Sequence, residues 1–533
     1  MGREPGQSAY EELMERGREF ARQLEFPSAA EIFRQALELA GETTAAGQAR
    51  NELARCCCVL GSWADAENCI ESVLREPSPA PEQARAWLLR GELMSMKGDP
   101  EETARSLQFA LELAIANRLR ELTVEARCCL AEHAGRTGAV EESRALIEAG
   151  LDELEELEPG PSVSALRATL LTQLGLYHFR CTRLRLAEEK ALEALRTLEG
   201  TGPSLTQANV QRYLGVITGL RRKHRTALTY HLGALDIFKQ AGHRYGQAKI
   251  YESIGRSFLA LNRMEEAVFS FRKCEQLCLD LGAHSELATL YGKLGQVYML
   301  REDYETAADY FRRDLDLSNR FRNHYALGYS HRNLGQCLVQ LGCLDDAIGS
   351  LSASLALFER VGDAFNLARV RMDLCHAYIR KGDGEKARGM GEEARALFED
   401  HEMRKELDYL EALSGSVARL QGDPEEAGRR LRSAIERLGV HGPSSWLAES
   451  YYELGVLERQ RSDRPAAVDA LKNAVRVARQ AGLTRETSRF LQELEDLDER
   501  ELFLTWMEGL EDRKTGPASM PSASVGAAVG GHP

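Results

Sequence analysis

The 533-residue sequence holds little proline and few aromatic residues, with 15 prolines and an aromatic fraction of 7%. A chain with so few helix breakers favours helix along most of its length. No apolar run approaches the roughly 20 residues that a transmembrane helix needs. Residues 1–6 lack the basic and apolar regions of a signal peptide, so we expect a cytoplasmic protein.

Positive charge is in the minority, because 68 Lys and Arg stand against 82 Asp and Glu and give a net charge of −14. An acidic chain is a poor partner for duplex nucleic acid or for an anionic membrane surface. We therefore expect neither a nucleic-acid partner nor a membrane span.

Catalytic and metal-binding motifs are also missing. His401 begins a zinc-protease pattern, but Lys405 stands where the second histidine would be. The 12 cysteines form no Cys-x-x-Cys pair. The side chains of consecutive cysteines, such as residues 56–58, would point in different directions on a helix. We expect reduced, buried thiols and predict no enzyme activity, no catalytic residue, no cofactor and no metal.

The sequence does contain a repeat of 40 residues. Segments that begin at Ala248, Ala288 and Gly328 align without a gap. In each, a small residue follows Leu or Ile, and a second small residue comes 12 positions later. This pair recurs 12 times, and the last eight pairs, whose first members run from Gly175 to Gly455, are spaced by 40. Repeats of this length are typical of helical solenoids.

Each repeat predicts two helices. Gly295 and Tyr298 fall on one face of the first helix, and Ala307 and Phe311 fall on one face of the second. The small residues would let the two helices approach closely. The pattern Leu-Gly, aromatic, Ala, Phe resembles the tetratricopeptide repeat across roughly residues 8–480, although the family's usual unit is shorter, at about 34 residues.

This resemblance implies an all-α fold: a right-handed superhelical solenoid of about 12 helix-turn-helix units with a C-terminal capping helix. The long unit is similar to the repeats of Leu-Gly-Asn-type polarity adaptors and of some bacterial regulators. The spacing predicts an N-terminal block of about four repeats, an irregular connection, a C-terminal block of about eight repeats, a capping helix and a disordered tail. Their bounds are 1–154, 155–164, 165–483, 484–512 and 513–533. The alternative at residues 155–164 is a longer loop in one continuous solenoid.

The resemblance also implies that the first helices line the concave face, where partners bind. At the expected groove positions the last eight repeats carry nine basic and two acidic residues, whereas the first four are nearly balanced. We therefore predict that the C-terminal groove binds an acidic segment, with Arg gripping carboxylates and Tyr adding apolar contact. The predicted groove residues are Arg180, Arg212, Lys249, Arg256, Arg332, Arg369, Arg380, Arg419, Arg459, Tyr329, Tyr409 and Tyr452.

The sequence thus predicts a non-catalytic scaffold or adaptor that binds a protein partner through an acidic extended or helical segment. Self-association stays open. The alternative is a peptide-sensing regulator that changes curvature when its ligand binds and controls a signalling or transcription partner.

Overall fold

A computed structural model describes the protein over residues 5–41, 45–321, 324–401 and 403–495. Within these ranges the regular elements are helices alone: 25 α-helices, α1 to α25, and a short 3₁₀ helix at Asn319–Phe321. The first 24 α-helices form 12 hairpins, each made of an odd-numbered helix and the even-numbered helix after it. The predicted all-α array of helix-turn-helix units is confirmed.

The chain divides into two compact units, which meet between Leu290 and Tyr291. We call the residues up to Leu290 unit 1. Its helices are α1 (Pro5–Arg22), α2 (Phe26–Ala40), α3 (Ala45–Leu60), α4 (Trp63–Arg75), α5 (Ala80–Lys97), α6 (Pro100–Ala116), α7 (Arg120–Thr137), α8 (Val140–Leu154), α9 (Pro161–Arg180), α10 (Leu184–Thr197), α11 (Leu205–Leu220), α12 (His224–Gln240), α13 (Arg244–Ala260) and α14 (Met264–Leu281).

The residues from Tyr291 onward are unit 2. The boundary lies within α15 (His284–Leu300). The remaining helices are α16 (Tyr304–Ser318), α17 (His324–Gln340), α18 (Leu344–Val361), α19 (Ala364–Lys381), α20 (Gly384–Asp400), α21 (Arg404–Leu420), α22 (Pro424–Gly439), α23 (Ser445–Gln460), α24 (Arg464–Gln480) and α25 (Thr484–Glu495).

Aspartate caps begin many of the second helices. The Oδ1 atoms of Asp303, Asp383 and Asp463 each accept a hydrogen bond of 3.2 Å from the backbone N–H three residues later. Such a cap satisfies one of the free N–H groups in the first turn of a helix. These residues are separated by multiples of 40 positions. The same local signal therefore fixes the same turn in each of these repeats.

Inside each hairpin, the small residue of the first helix is covered by a large side chain of the second. A Cβ atom added at Gly295 would lie 2.7 Å from Cε1 of Phe311, and Phe311 and Ala307 are both fully buried. The prediction that these positions must be small is therefore confirmed. The side chain closest to Gly295 is that of Phe311, four residues after Ala307. In the next hairpin Leu351 occupies the corresponding position and lies closest to Gly335.

Each unit also has a contact between helices that are five repeats apart. In unit 1 the ring of Trp63, at the start of α4, meets the ring of Tyr245 in α13 edge-on, with centroids 6.0 Å apart. In unit 2 the backbone N–H of Arg485 in α25 donates to Oε2 of Glu302, in the turn after α15, at 2.6 Å. The contact in unit 1 joins the second repeat to the seventh, and the contact in unit 2 joins the eighth repeat to α25.

The described helices overlap two of the predicted segments. Within the connection predicted at residues 155–164, α9 already begins at Pro161, since proline is favoured in the first turn of a helix. Of the predicted capping helix, α25 covers Thr484–Glu495. The rest of that cap and the predicted tail from residue 513 lie outside the described residues. The division into blocks at residues 155–164 stays a prediction. In the described part of the chain, no helix has both the length and the apolar character needed to cross a membrane.

Candidate functional site

The odd-numbered helices α3 to α13 of unit 1 surround most of a cavity of about 470 Å³. These are the first helices of their repeats, the ones predicted to face a groove. The volume falls within the range of about 300–1,000 Å³ that is usual for ligand sites. The polar lining residues include Arg85, Glu92, Glu125, Cys129, Glu132, Arg136, Gln173, Arg212, Tyr213, Tyr245 and Lys249.

One side of the cavity carries compensated charge. Nη1 of Arg85 in α5 donates to Oε2 of Glu125 in α7, so these two charges cancel. Sγ of Cys129 donates to Oε1 of Glu92 at 3.6 Å. Burial raises the pKa of Glu92 to about 7, and the neighbouring Glu125 carboxylate adds to the rise. Near neutral pH this side therefore presents an ion pair and a carboxyl group that is partly protonated.

The other side carries cations from four successive first helices. They are Arg136 in α7, Arg180 in α9, Arg212 in α11 and Lys249 in α13, and three of the four line the cavity. Among the residues that the structure describes, no carboxylate forms an ion pair with any of them. We call these four residues the cation cluster.

Two members of the cation cluster lie against tyrosine rings. The guanidinium carbon of Arg212 is 4.3 Å from the ring centroid of Tyr213, and Nζ of Lys249 is 5.1 Å from that of Tyr245. Burial, together with the charge of Arg212, lowers the pKa of Lys249 to about 8. The ring contacts stabilise the cations only partly. Burial disfavours the charges of Arg136 and Arg212, but neighbouring groups, Glu132 among them, keep the pKa of both arginines above its ordinary value. The cluster is therefore compensated in part by nearby groups, without a direct ion pair to a described carboxylate.

Arg180 lies against the backbone of α7 at Gly135. Its Nε and Nη1 atoms are buried and have no hydrogen-bond partner within the described part of the chain. A Cβ atom at Gly135 would collide with the Arg180 guanidinium, so the glycine makes room for it. Burial is also the main reason why the pKa of Arg180 lies below its ordinary value.

Two carboxylates approach the cation cluster, and each already has a partner. Glu132 in α7 accepts a hydrogen bond of 3.3 Å from Nε2 of Gln173, and Glu286 in α15 accepts one from the Tyr245 hydroxyl. With four cations and two carboxylates, this side of the cavity has an excess of two positive charges.

In unit 2, by contrast, groove arginines join successive first helices through ion pairs. We call this series the ion-pair ladder. The first pair, Arg332 with Asp373, is 2.6 Å long, and its side chains are only 11% and 14% exposed. The other rungs are Arg369–Glu406 at 3.3 Å, Arg419–Glu453 at 2.9 Å and Arg459–Glu493 at 2.6 Å. Four of the predicted groove residues therefore have their charge compensated within the protein.

The remaining predicted cations differ from one another. Arg256 is exposed and pairs with Glu252 one turn earlier in α13, at 3.1 Å. Arg380 in α19 has no ion pair with a described carboxylate, and its Nη1 atom is buried without a partner there. The burial of His376, one turn before it, lowers the pKa of that histidine to about 4, so His376 is neutral near pH 7.

The predicted groove tyrosines all take part in packing contacts. The Tyr329 hydroxyl accepts a hydrogen bond of 2.8 Å from Nδ2 of Asn366. The buried ring of Tyr409 stacks on Trp446 at 4.8 Å. The ring of Tyr452 stacks on Phe490 in α25, also with a short centroid distance of 4.9 Å.

Of the predicted residues, the structure thus brings together Arg180, Arg212 and Lys249. The predicted site residues did not include Arg136, nor the two tyrosines that flank the cluster. Arg136 lies five residues after the small residue of its helix, the same repeat position as Arg180. The repeat register places it in the groove, but the nearly balanced charge of the first four repeats excluded it from the predicted site. The register gave no such signal for Tyr245, which lies at the start of α13.

The cysteines form neither a disulfide nor a metal site in the described ranges. All 12 are free thiols, and most are buried. Sγ of Cys274 lies 3.9 Å from Sγ of Cys278, one helical turn later, which is far longer than a disulfide bond. No group of three or more His, Cys, Asp or Glu side chains comes together as a metal site within residues that the structure describes.

Family models of the tetratricopeptide repeat match four stretches of the chain, residues 14–67, 248–280, 289–325 and 326–400. These stretches of the chain are tetratricopeptide repeats. Arrays of such repeats present extended surfaces for binding other proteins. No curated protein sequence matches the chain significantly.

Solved structures of other helical-repeat proteins are similar to this chain. The apo form of RapI matches with 13% identity and a TM-score of 0.53, covering 67% of this chain and 98% of that one. A Rap protein complexed with competence and sporulation factor matches with 14% identity, a TM-score of 0.44 and coverage of 71% and 98%. The APC/C hetero-tetramer Cut9–Hcn1 matches with 13% identity, a TM-score of 0.37 and coverage of 90% and 96%. The likeness to RapI shows a shared fold.

Proposed function

We propose that this chain is a non-catalytic, cytoplasmic scaffold that binds an acidic extended or helical segment of a partner protein in the unit 1 cavity. The observation that carries the proposal is the cation cluster. Arg136 is exposed and the other three cations are half-buried. A half-buried cation without a direct counter-ion carries a desolvation cost, and an incoming carboxylate would offset it. Arg136, Arg180 and Arg212 can each grip a carboxylate with two parallel hydrogen bonds, and Lys249 adds a point charge.

The ion-pair ladder has a different role in this proposal. Each rung would have to break before its arginine could bind a ligand, so the partner's carboxylate would only replace one that is already present. We propose that the ladder holds successive first helices of unit 2 at a fixed spacing. Arg380, which no described carboxylate pairs, is the residue of unit 2 best suited to contact a partner.

The test is capture of partner proteins by the full chain, followed by affinity measurements with synthetic peptides that cover each captured protein. The site variant is Arg212→Glu with Lys249→Glu. The matched control is Arg225→Glu with Lys239→Glu, since both residues are exposed on α12 and the change in net charge is the same. Peptide affinity is measured by fluorescence anisotropy, and circular dichroism checks that both variants fold.

We expect wild type and control to bind an acidic segment equally well. The site variant should bind it at least tenfold more weakly, because two attractive charges become repulsive and tenfold corresponds to only about 1.4 kcal/mol. Equal affinity of a folded site variant would refute the location of the site. Partners whose bound segments are basic or neutral would refute the charge argument.

A second candidate is a peptide-sensing regulator, and one contact favours it. Tyr245 both lines the cavity and meets Trp63, whose indole Nε1 is buried without a partner in the described structure. A ligand that moves Tyr245 would therefore disturb the contact between repeats that lie five apart. The fluorescence of Trp63, obtained as the difference between wild type and Trp63→Phe, should change on peptide binding if this candidate is correct and stay constant if it is not.

A further inference from the structure

Three members of the cation cluster share one cavity, and the fourth lies close to a residue that lines it. Arg136, Arg212 and Lys249 line the cavity, and Arg180 interacts electrostatically with Tyr213, which also lines it. The hydroxyl group of Tyr213 interacts with Arg136 and Arg212 as well. Cations from four successive first helices are therefore grouped at this cavity.

The charge at this cavity suits a dianion. The cluster exceeds its two neighbouring carboxylates by two positive charges, so one Asp or Glu of a ligand would cancel only half of the excess. A phosphate monoester carries about −1.5 to −2 at pH 7 and offers three acceptor oxygens at a single centre. Several cations around one centre are the arrangement that such a group requires.

We infer that the segment bound in the unit 1 cavity carries a phosphorylated serine or threonine, and that Arg136, Arg180, Arg212 and Lys249 hold its phosphate. This inference rests on the proposed function, because it specifies the ligand of the same site. An extended run of acidic residues fits less well. Carboxylates on the same side of an extended chain are about 7 Å apart, so they spread their charge along the chain, whereas these cations are grouped at one cavity.

Arg180 gives the inference a separate structural support. Its two buried nitrogens lack partners in the described chain, and Gly135 leaves the space in which its guanidinium lies. Gly135 is helical, near the end of α7, and its φ angle is not positive, so helix geometry alone does not require glycine there. Alanine would favour the helix by about 1 kcal/mol. The glycine is thus explained by the room it leaves for Arg180.

The experiment uses the immobilised full chain and three degenerate peptide libraries. They are identical except for a central residue, which is serine, glutamate or phosphoserine. A 5′-phosphorylated RNA 12-mer and inorganic phosphate are tested separately as competitors. We expect the phosphoserine library to bind at least tenfold more tightly than the glutamate library, and inorganic phosphate to compete at millimolar concentration.

Two variants locate the phosphate. Arg212→Gln with Lys249→Met removes two cations, and we expect the preference for phosphoserine over glutamate to fall below twofold. Gly135→Ala keeps every charge but displaces Arg180, so it should weaken phosphoserine binding several-fold without loss of helix content. Arg225→Gln on the exposed face of α12 is the control and should leave the preference unchanged.

The other outcomes separate the inference from the proposed function. Equal binding of the glutamate and phosphoserine libraries would overturn the inference but leave the proposed function in place. No binding of either acidic library would count against both. RNA bound more tightly than any peptide would replace the phosphopeptide with a nucleic acid. A phosphoserine preference that survives in the folded double variant would remove the phosphate from this cluster.

Discussion

Units 1 and 2 use the same repeat, but unit 1 leaves groove cations of four successive first helices without an ion pair in the described structure, whereas unit 2 pairs four of its five predicted groove arginines. In unit 2, each rung of the ion-pair ladder places the acidic partner of an arginine on the next first helix. In unit 1, the cations of α7, α9, α11 and α13 face a cavity without such partners in the described structure. Arginine in a groove is therefore not in itself a binding signal. What distinguishes a site is whether the protein supplies the counter-charge.

The largest loss of stability should come from removing one partner of a buried ion pair in the ladder. Both side chains of the Arg419–Glu453 pair are 11% exposed. Arg419→Met would leave the Glu453 carboxylate buried and unpaired, and we expect a loss of about 3 kcal/mol in the unfolding free energy of this region. Native-state hydrogen exchange of the α21 and α23 amides measures it.

Two comparisons control this experiment. Changing Glu453 to Met as well should restore most of the lost stability, because no buried charge remains. Arg459→Met breaks a more exposed rung, whose side chains are 43% and 26% exposed, and should cost about 0.5 kcal/mol. Similar losses for the two arginines would contradict the role of burial in the ladder.

Removing the charge of Lys249 in unit 1 should change the stability by less, and should increase it. Lys249 has a folded pKa of about 8 against an ordinary value of 10.5, so the native state disfavours its charge. The two pKa values differ by about 2.5, which corresponds to about 3 kcal/mol at about 1.4 kcal/mol per unit. Because Lys249→Met also loses the contact of Nζ with the Tyr245 ring, worth about 1 kcal/mol, it should raise the unfolding free energy at pH 7 by about 2 kcal/mol.

The pH dependence checks the sign of this prediction. Between pH 8 and 10.5 the unfolded state binds more protons at Lys249 than the native state does, so the wild type gains stability as the pH rises. The advantage of the variant should be constant below pH 8 and disappear by about pH 10.5. Urea unfolding of both proteins across this range measures it, and a parallel offset at every pH would show that Lys249 is not the cause.

The smallest changes in stability are expected from substitutions in the turn between the two helices of a repeat. Thr182 in unit 1 has φ 60°, whereas Gly382 occupies the corresponding position in unit 2 with φ 85°. A branched residue is strained there, so Thr182→Gly should stabilise unit 1 by about 0.5 kcal/mol after the added flexibility of the unfolded chain is counted. Gly382→Ala should destabilise unit 2 by about 1 kcal/mol. Thermal unfolding followed by circular dichroism compares the two, and a loss on Thr182→Gly would contradict the strain.

Sequence reasoning was strongest where the signal is local and repeated. The pairing of Gly295 with Ala307, with Phe311 after it, predicted a two-helix unit, and the hairpins confirm it. Gly282 and Gly362 end helices with positive φ angles, a position for which glycine is favoured. These features depend on neighbours within a few residues or within one hairpin.

The candidate site was predicted less completely. Asp373 and Glu453, which neutralise groove arginines, lie two residues before the small residue of their helices. The predicted groove positions lie six and three residues before the small residue and one, four and five residues after it. The basic excess of the C-terminal groove was therefore counted without these partners. Of the predicted residues, Arg180, Arg212 and Lys249 are the ones that join a common cluster in unit 1.

The sequence alone determined the repeat, its period, its two helices and the small positions where those helices meet, because a pattern that recurs every 40 residues needs only local geometry to be read. The tertiary structure decided which charges are matched. The ion pairs of the ladder join residues that are 41, 37 or 34 positions apart, so a single fixed spacing along the sequence does not predict them. Whether an arginine is free to bind depends on how successive first helices stack, and that stacking is set by contacts between repeats.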